Sequence, residues 1–208
     1  LNLSTFVNGW RQIKLKIGQA FFIVTKHCSP EALTVTICGL MGIYLLLIAP
    51  IHGYADNGDF TRVLNSNGLY AIKASDSRYV VTNYGIRQYY NELASPTWKT
   101  QNMFIQLAIL INKLLFSTQI FDIRFLGVIY LVVYISGIYL FTKALVPGNR
   151  TTGAYVVAIL IGLVAGDSAF MMYFNSFYPQ ATTLIFLVLA VALLLYIPQL
   201  HGKNYSLQ

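Results

Sequence analysis

Four long apolar runs divide the chain, at 32–51, 125–142, 152–170 and 181–197. Crossing the hydrocarbon of a bilayer takes about 20 mostly apolar residues, with a range of about 17 to 25, and each run has that length. An unpaired strand cannot satisfy its backbone in lipid, so the pattern predicts four helices. Apart from Asp167 near the end of the third run, none contains Lys, Arg, Asp or Glu. The third is the weakest, because Gly153, Gly162 and Gly166 thin it.

Polar positions concentrate between the first two runs, at 53–124. That segment is too long for a simple turn and too poor in apolar residues for a separate core, so it is expected to fold against the membrane. Within it, "NMFIQLAILINKLLFS" (102–117) is apolar with a pattern. Asn102, Gln106 and Lys113 fall within about 40° of one another on a wheel of 100° per residue, opposite the Leu and Ile face. This predicts a helix lying at the interface. Read instead as a span, it would place Lys113 in hydrocarbon and reverse every later segment. A shorter helix is expected at "GYADNGDFTRV" (53–63), with Asp56 or Asn57 as cap, Asp59 in the first turn, and a stop at "NSNG" ending in Gly68.

Composition agrees with the pattern. Hydrophobic residues make up 56%, charged residues 10%, and the mean hydropathy is +0.60, where soluble domains carry about a quarter charged residues. The formal charge of +7 arises from 14 Lys and Arg against 7 Asp and Glu. In a membrane chain such an excess sets orientation, and no nucleic-acid motif accompanies it. Arg11, Lys14, Lys16 and Lys26 precede the first run, Lys143 and Arg150 follow the second, and His201 and Lys203 follow the fourth. With all three groups cytoplasmic, the amino terminus is inside, and both 53–124 and the stretch 167–180 face outward. Cys28 and Cys38 lie about 15 Å apart if helical, too far for a disulfide.

The expected organisation is an all-α, polytopic bundle of about four spans with a large extracytoplasmic loop carrying juxtamembrane helices. Its parts are a cytoplasmic or interfacial segment (1–31), a first span (32–52), the loop (53–124), three further spans (125–198) and a cytoplasmic tail (199–208). A cleaved signal peptide is the alternative for the first run, but the run exceeds the usual apolar core of about 7 to 15 residues and no A-x-A site follows. The basic "WRQIKLKIGQAFFIV" suits the inner leaflet. A start at Leu1 and an end in "HGKNYSLQ" soon after an apolar run suggest a piece of a longer protein.

Candidate chemistry sits where the first run stops. Asp56 and Asp59 follow it within a few residues, and Arg62, Lys73, Arg78, Arg87 and Lys99 later in the loop can neutralise a phosphate head group. The bland alternatives are a cap for Asp56 and an ion pair with Arg62 for Asp59. On the second outward stretch, Asp167, Asn175, Tyr178 and Gln180 are candidates for holding sugar hydroxyls. Equally, Tyr173, Phe174, Phe177 and Tyr178 have the character of an aromatic belt in the head groups.

The motif "YADNGDFTRVLNSNGLY" (54–70) resembles the "NGDF-x-RV" segment of bacterial cell-wall and surface-glycan hexosyltransferase-like proteins, and "YFNSFYPQA" (173–181) is similar to their second motif. "SPTWKTQNMFIQLAILINKLLF" (95–116) followed by "IRFLGVIYLVVY" (123–134) resembles the helix-then-span pattern of the GT-C membrane glycosyltransferases. The resemblance covers most of the chain from about residue 32. Pro179 and Gln180 depart from the glycine and acid expected after "FNSFY", which puts a second carboxylate there in doubt. The resemblance implies transfer of a sugar from a polyprenyl-phosphate-linked donor to a cell-surface glycan acceptor, outside the membrane. Asp59 is then the catalytic base, assisted by Asp56, the two being also where a divalent cation would bind, and Arg62, Asp167, Asn175, Tyr178 and Gln180 contact substrate. A transporter or flippase for lipid-linked glycans, or a non-catalytic membrane subunit, is the competing class. Transporters carry ionisable groups or broken helices near the midplane, and these runs have no such charges.

Overall fold

The computed structural model describes residues 25–73, 80–88, 99–146 and 150–205, with Gly148 and scattered positions between 11 and 21; for 200–205 it describes the backbone alone. Arg78, and Ser95 to Trp98 of the motif at 95–116, lie outside the described residues.

Helix α1 is Pro30–Leu47. Proline at the first helical position and Ser29, whose Oγ accepts from the Ala32 N–H at 3.3 Å, set its start. It stops before the expected 51, because Pro50 lacks an N–H and disfavours helix in the residue before it. Helix α4 (Arg124–Leu145) and helix α7 (Gln180–Tyr205) are the other unbroken long helices. The third run is broken. Helix α5 (Thr152–Ala165) ends at Gly166, and Asp167 caps a new short helix, α6 (Ser168–Met171), by accepting from the Ala169 N–H at 2.7 Å. A 3-10 turn, Met172–Asn175, continues it.

Among the described residues three helices, Pro30–Leu47, Arg124–Leu145 and Gln180–Gln199, are long and apolar enough to cross a membrane. Thr152–Ala165 with Ser168–Asn175 makes a fourth if that pair, bent by 46°, is one span. Helix α4 is central, packed against α7 and α1, and α5 packs mainly on α1 while also meeting α4, whose Tyr134 hydroxyl donates to the Ala165 carbonyl at 3.0 Å. The helices alternate in direction. One end of the bundle, here the loop end, therefore gathers the exit of α1, the start of α4, the exit of α5 and the start of α7. At the opposite end Lys143 lies 5.6 Å from the Tyr139 ring and 5.5 Å from that of Tyr196, bracing α4 on α7.

The loop end is more than helices. Between α1 and α4 lie α2 (Phe60–Ser66), strands β1 (Leu69–Tyr70) and β2 (Asn83–Ile86), helix α3 (Thr100–Leu115) and strand β3 (Ile120–Asp122). The strands form an antiparallel sheet in the order β1-β2-β3, with Tyr70 opposite Gly85 and Tyr84 opposite Phe121. The expectation of an all-α chain is corrected to a mostly helical one with this small sheet. The sheet closes over Phe177, whose ring centroid lies 5.4 Å from Phe60, 4.9 Å from Tyr84 and 6.4 Å from Phe121. The long loop thus shares a core with the stretch after α6 rather than lying on a bilayer surface alone.

Helix α3 has three faces. Gln101, Ile105, Ala108, Ile109 and Asn112 are buried. Asn102 and Gln106 reach the turn after α2, where the Asn102 Oδ1 accepts from Asn67 Nδ2 at 3.2 Å and the Gln106 Nε2 donates to Asn67 Oδ1 at 3.1 Å. Met103, Leu107, Leu110 and Leu114 form an exposed apolar stripe. The Leu and Ile face expected opposite the polar positions is therefore split, half into the core and half outward. At 16 residues, α3 is shorter than a span requires.

Candidate functional site

Residues 48–59 leave α1 without regular structure and are held in place from the second loop stretch. Asn175 is the first tie: its Nδ2 donates to the Leu46 carbonyl at 3.0 Å and to the His52 carbonyl at 3.1 Å. The Tyr54 hydroxyl donates to the Ala169 carbonyl at 3.2 Å, and the Tyr54 ring lies 4.4 Å from Tyr173. The Tyr178 hydroxyl donates to the Ala55 carbonyl at 3.0 Å and accepts from the Asn57 N–H at 3.1 Å. Two segments more than a hundred residues apart are thereby fixed together at the loop end.

Within this frame "DNGD" (56–59) makes a tight local structure. Asp56 Oδ1 accepts from the Gly58 N–H at 2.8 Å and the Phe60 N–H at 3.0 Å, and Asn57 Oδ1 accepts from the Asp59 N–H at 3.3 Å. Gly58 has φ +108°, a conformation that L side chains rarely adopt. Asp56 therefore caps the entry to α2, from further upstream than an ordinary N-cap.

Asp59 differs. It is exposed, and its carboxylate takes part in no hydrogen bond or ion pair among the described residues. Arg62, in the first turn of α2, is exposed and likewise unpaired there. The ion pair that local rules suggest for these two does not form. Two opposite charges are left facing solvent on one short helix entry.

The remaining candidates separate. Asp167 is exposed, but its Oδ1 serves the cap of α6. Gln180 is exposed at the start of α7. Asn175 is only 1% exposed, so in place of the sugar contact expected of it the amide ties the end of α1 to the loop. Its Oδ1 is buried without a partner among the described residues and lies 2.2 Å from where a Cβ on Gly127 would stand. Tyr178 is half-buried with its hydroxyl committed to the loop backbone, which makes it a positioning residue rather than the sugar contact expected. Nor do these aromatics form a head-group belt: Phe174 and Phe177 are buried, and Tyr173 and Tyr178 are partly so. For a divalent cation, Asp56 Oδ2 and the Asp59 carboxylate are the oxygens left over, and no group of three His, Cys, Asp or Glu side chains gathers among the described residues. Two carboxylates are too few to enclose a cation unaided.

A second polar node escaped the sequence reading. Asp122 is buried and pairs with Arg124 through both carboxylate oxygens, while its Oδ1 also accepts from the Arg124 N–H at 2.9 Å. Asn112 Oδ1 accepts from the Asp122 N–H at 2.9 Å, and its Nδ2 donates to the Ser117 and Ile120 carbonyls, each at 2.8 Å. The node joins α3, β3 and α4. An acid two residues before a span, in "FDIR", was the available signal.

A family model described as the YfdI N-terminal transmembrane domain matches residues 15–207. The chain belongs to that family. The match takes in every helix and strand described above, and with three or four candidate spans it makes this a multi-pass membrane protein in contact with the lipid bilayer. No curated protein and no solved structure matches the chain.

Proposed function

We propose that the chain forms the donor-binding end of a GT-C-type membrane glycosyltransferase, which moves a sugar from a polyprenyl-phosphate carrier to a surface-glycan acceptor on the extracytoplasmic face. The observation that carries this reading is Asp59. A carboxylate free of partners among the described residues stands on a loop that Tyr54, Asn175 and Tyr178 hold rigidly at one end of the bundle. A merely structural acid would be expected to have the kind of partner that Asp56 and Asp122 have.

In the proposed reaction the acceptor hydroxyl oxygen attacks the anomeric carbon of the donor sugar. Asp59 takes the hydroxyl proton as the new carbon–oxygen bond forms. The bond between the anomeric carbon and the phosphate oxygen breaks, and its electron pair leaves with the polyprenyl phosphate. Arg62 offsets the charge developing on that phosphate. Asp56 keeps Asp59 in place through the backbone, and Gln180 and Asp167 are the exposed polar side chains left for sugar hydroxyls. No step needs a metal ion. The outward orientation is supported by the basic residues: Lys143 and Arg150 lie at the end of the bundle away from Asp59, and the positive-inside rule favours the cytoplasm for that end.

A transporter reading draws on one feature, the bend of 46° between α5 and α6, since broken helices mark many transporter sites. The acid at that bend is exposed and caps a helix, which suits an interface better than a midplane site. The test is transfer of radiolabelled sugar from polyprenyl-phosphate donors in membranes containing the full-length protein. Asp59→Asn is expected to lower turnover by about 10²-fold or more, within the range for a lost general base. Unchanged turnover in that variant removes Asp59 from the chemistry.

A further inference from the structure

Gln101, in the first turn of α3, is 3% exposed, and its Nε2 donates to the Phe177 carbonyl at 2.7 Å. That carbonyl belongs to the planar peptide that also carries the Tyr178 N–H. On the N–H side the peptide makes a long contact, 3.4 Å to Ser176 Oγ, so the Gln101 bond is the firmer hold on it. Tyr178 departs from this peptide, packs its ring 4.8 Å from Phe60, and places its hydroxyl between the Ala55 carbonyl and the Asn57 N–H. A tilt of the peptide swings that hydroxyl, which stands a full tyrosine side chain from the pivot.

The amide sits one way round. A carbonyl accepts and does not donate, so Phe177 takes the NH2 end of Gln101. The oxygen end is left next to the Tyr130 hydroxyl of α4, which also stands beside Thr182 of α7. All three side chains are buried, and neither Gln101 Oε1 nor the two hydroxyls make a well-aligned hydrogen bond among the described residues. The one short bond of the Gln101 amide is thus the bond to Phe177. Its neighbours on α3 act at the far end of the same unit: Asn102 and Gln106 hold Asn67, the residue after α2, and α2 begins directly after Asp59. The segment 55–67, which carries Asp59 and Arg62, is braced by α3 at both ends, directly at Asn67 and through Tyr178 at Ala55 and Asn57.

We propose that Gln101 is a positioning residue for Asp59, acting through the 177–178 peptide and the Tyr178 hydroxyl. That Asp59 then serves as a base rests on the glycosyltransferase reading; the mechanical link does not. The test is electron paramagnetic resonance of a nitroxide on Asp59→Cys, in the full-length protein in membranes and in an otherwise cysteine-free background. Gln101→Met, close in size but without the amide, and Gln101→Asn, which keeps the amide but not the reach, are each expected to narrow the centre line, as is Tyr178→Phe. With Tyr178→Phe already present, Gln101→Met narrows it no further, because both act through one clamp. A nitroxide on Leu160→Cys, at an exposed position of α5, keeps its spectrum in every variant. In the transfer assay Gln101→Met lowers kcat by about tenfold to a hundredfold with KM little changed. An unchanged line at 59 in both Gln101 variants, effects that add in the double variant, or loosening at 160 as well overturns the proposal. The spectra need no turnover: a loosened loop in a protein without transfer activity rejects the enzyme reading alone, and a firm loop in an active Gln101→Met enzyme rejects the positioning role alone.

Discussion

The Tyr178 hydroxyl holds the backbone on both sides of Asp56, donating to the Ala55 carbonyl at 3.0 Å and accepting from the Asn57 N–H at 3.1 Å. Its ring packs 4.8 Å from Phe60 independently of that hydroxyl. Tyr178→Phe therefore keeps the packing and frees the loop. Loss of two partly solvated hydrogen bonds costs about 1–2 kcal/mol, and transfer is expected to fall about tenfold for each 1.4 kcal/mol of lost positioning. Gel filtration after heating in detergent checks that the fold survives.

Asn175 and Gly127 make a second, purely structural prediction. A Cβ at 127 would stand 2.2 Å from Asn175 Oδ1, so Gly127→Ala displaces the amide that holds the Leu46 and His52 carbonyls. The expected loss is about 1–3 kcal/mol from overpacking, more if those carbonyls stay buried and unpaired. Asn175→Leu should destabilise similarly. Both are read as lower midpoints of thermal aggregation in detergent.

Asp56 and Asp59 should separate by substitution. Asparagine retains the oxygen that accepts from the Gly58 and Phe60 N–H groups, so Asp56→Asn is expected to keep activity within a few-fold, while Asp56→Ala loses a cap worth about 1 kcal/mol. Asp59→Asn removes the base outright. Equal damage from Asp56→Asn and Asp59→Asn in the transfer assay would place Asp56 in the chemistry as well.

Asp122 tests the hidden node. Asp122→Ala strips Arg124 of its partner and α4 of a cap; because Arg124 is 46% exposed, water offsets part of this, and the expected cost is about 1–3 kcal/mol. Asp122→Asn restores an acceptor for the Arg124 N–H and should recover most of it. A melting comparison of the two variants decides the point.

The spans were legible because runs without charge are long and unmistakable; their ends moved inward at Pro50 and at the Gly166 and Asp167 pair, while α4 and α7 continue past the expected 142 and 197 to Leu145 and Tyr205. The cap role of Asp56 was legible from spacing. The sheet was not, since strands of two, four and three residues carry no periodicity, and their partners are separated by loops. Nor could spacing reveal that Phe177 would become a buried hub or that Asn175 would turn inward. Both depend on contacts between segments far apart in the chain, Phe177 with Phe60, Tyr84 and Phe121 and Asn175 with Leu46 and His52, which a pattern read along the chain does not contain.

The central claim is that Asp59 shares a leaflet with the carrier's headgroup, and cysteine accessibility measures this directly. In a background carrying Cys28→Ser and Cys38→Ala, Asp59→Cys in intact cells is treated with a membrane-impermeant maleimide. The account predicts labelling before permeabilisation, with Arg150→Cys labelled only afterwards. The reverse pattern, with position 59 reached only from the cytoplasm, would contradict it.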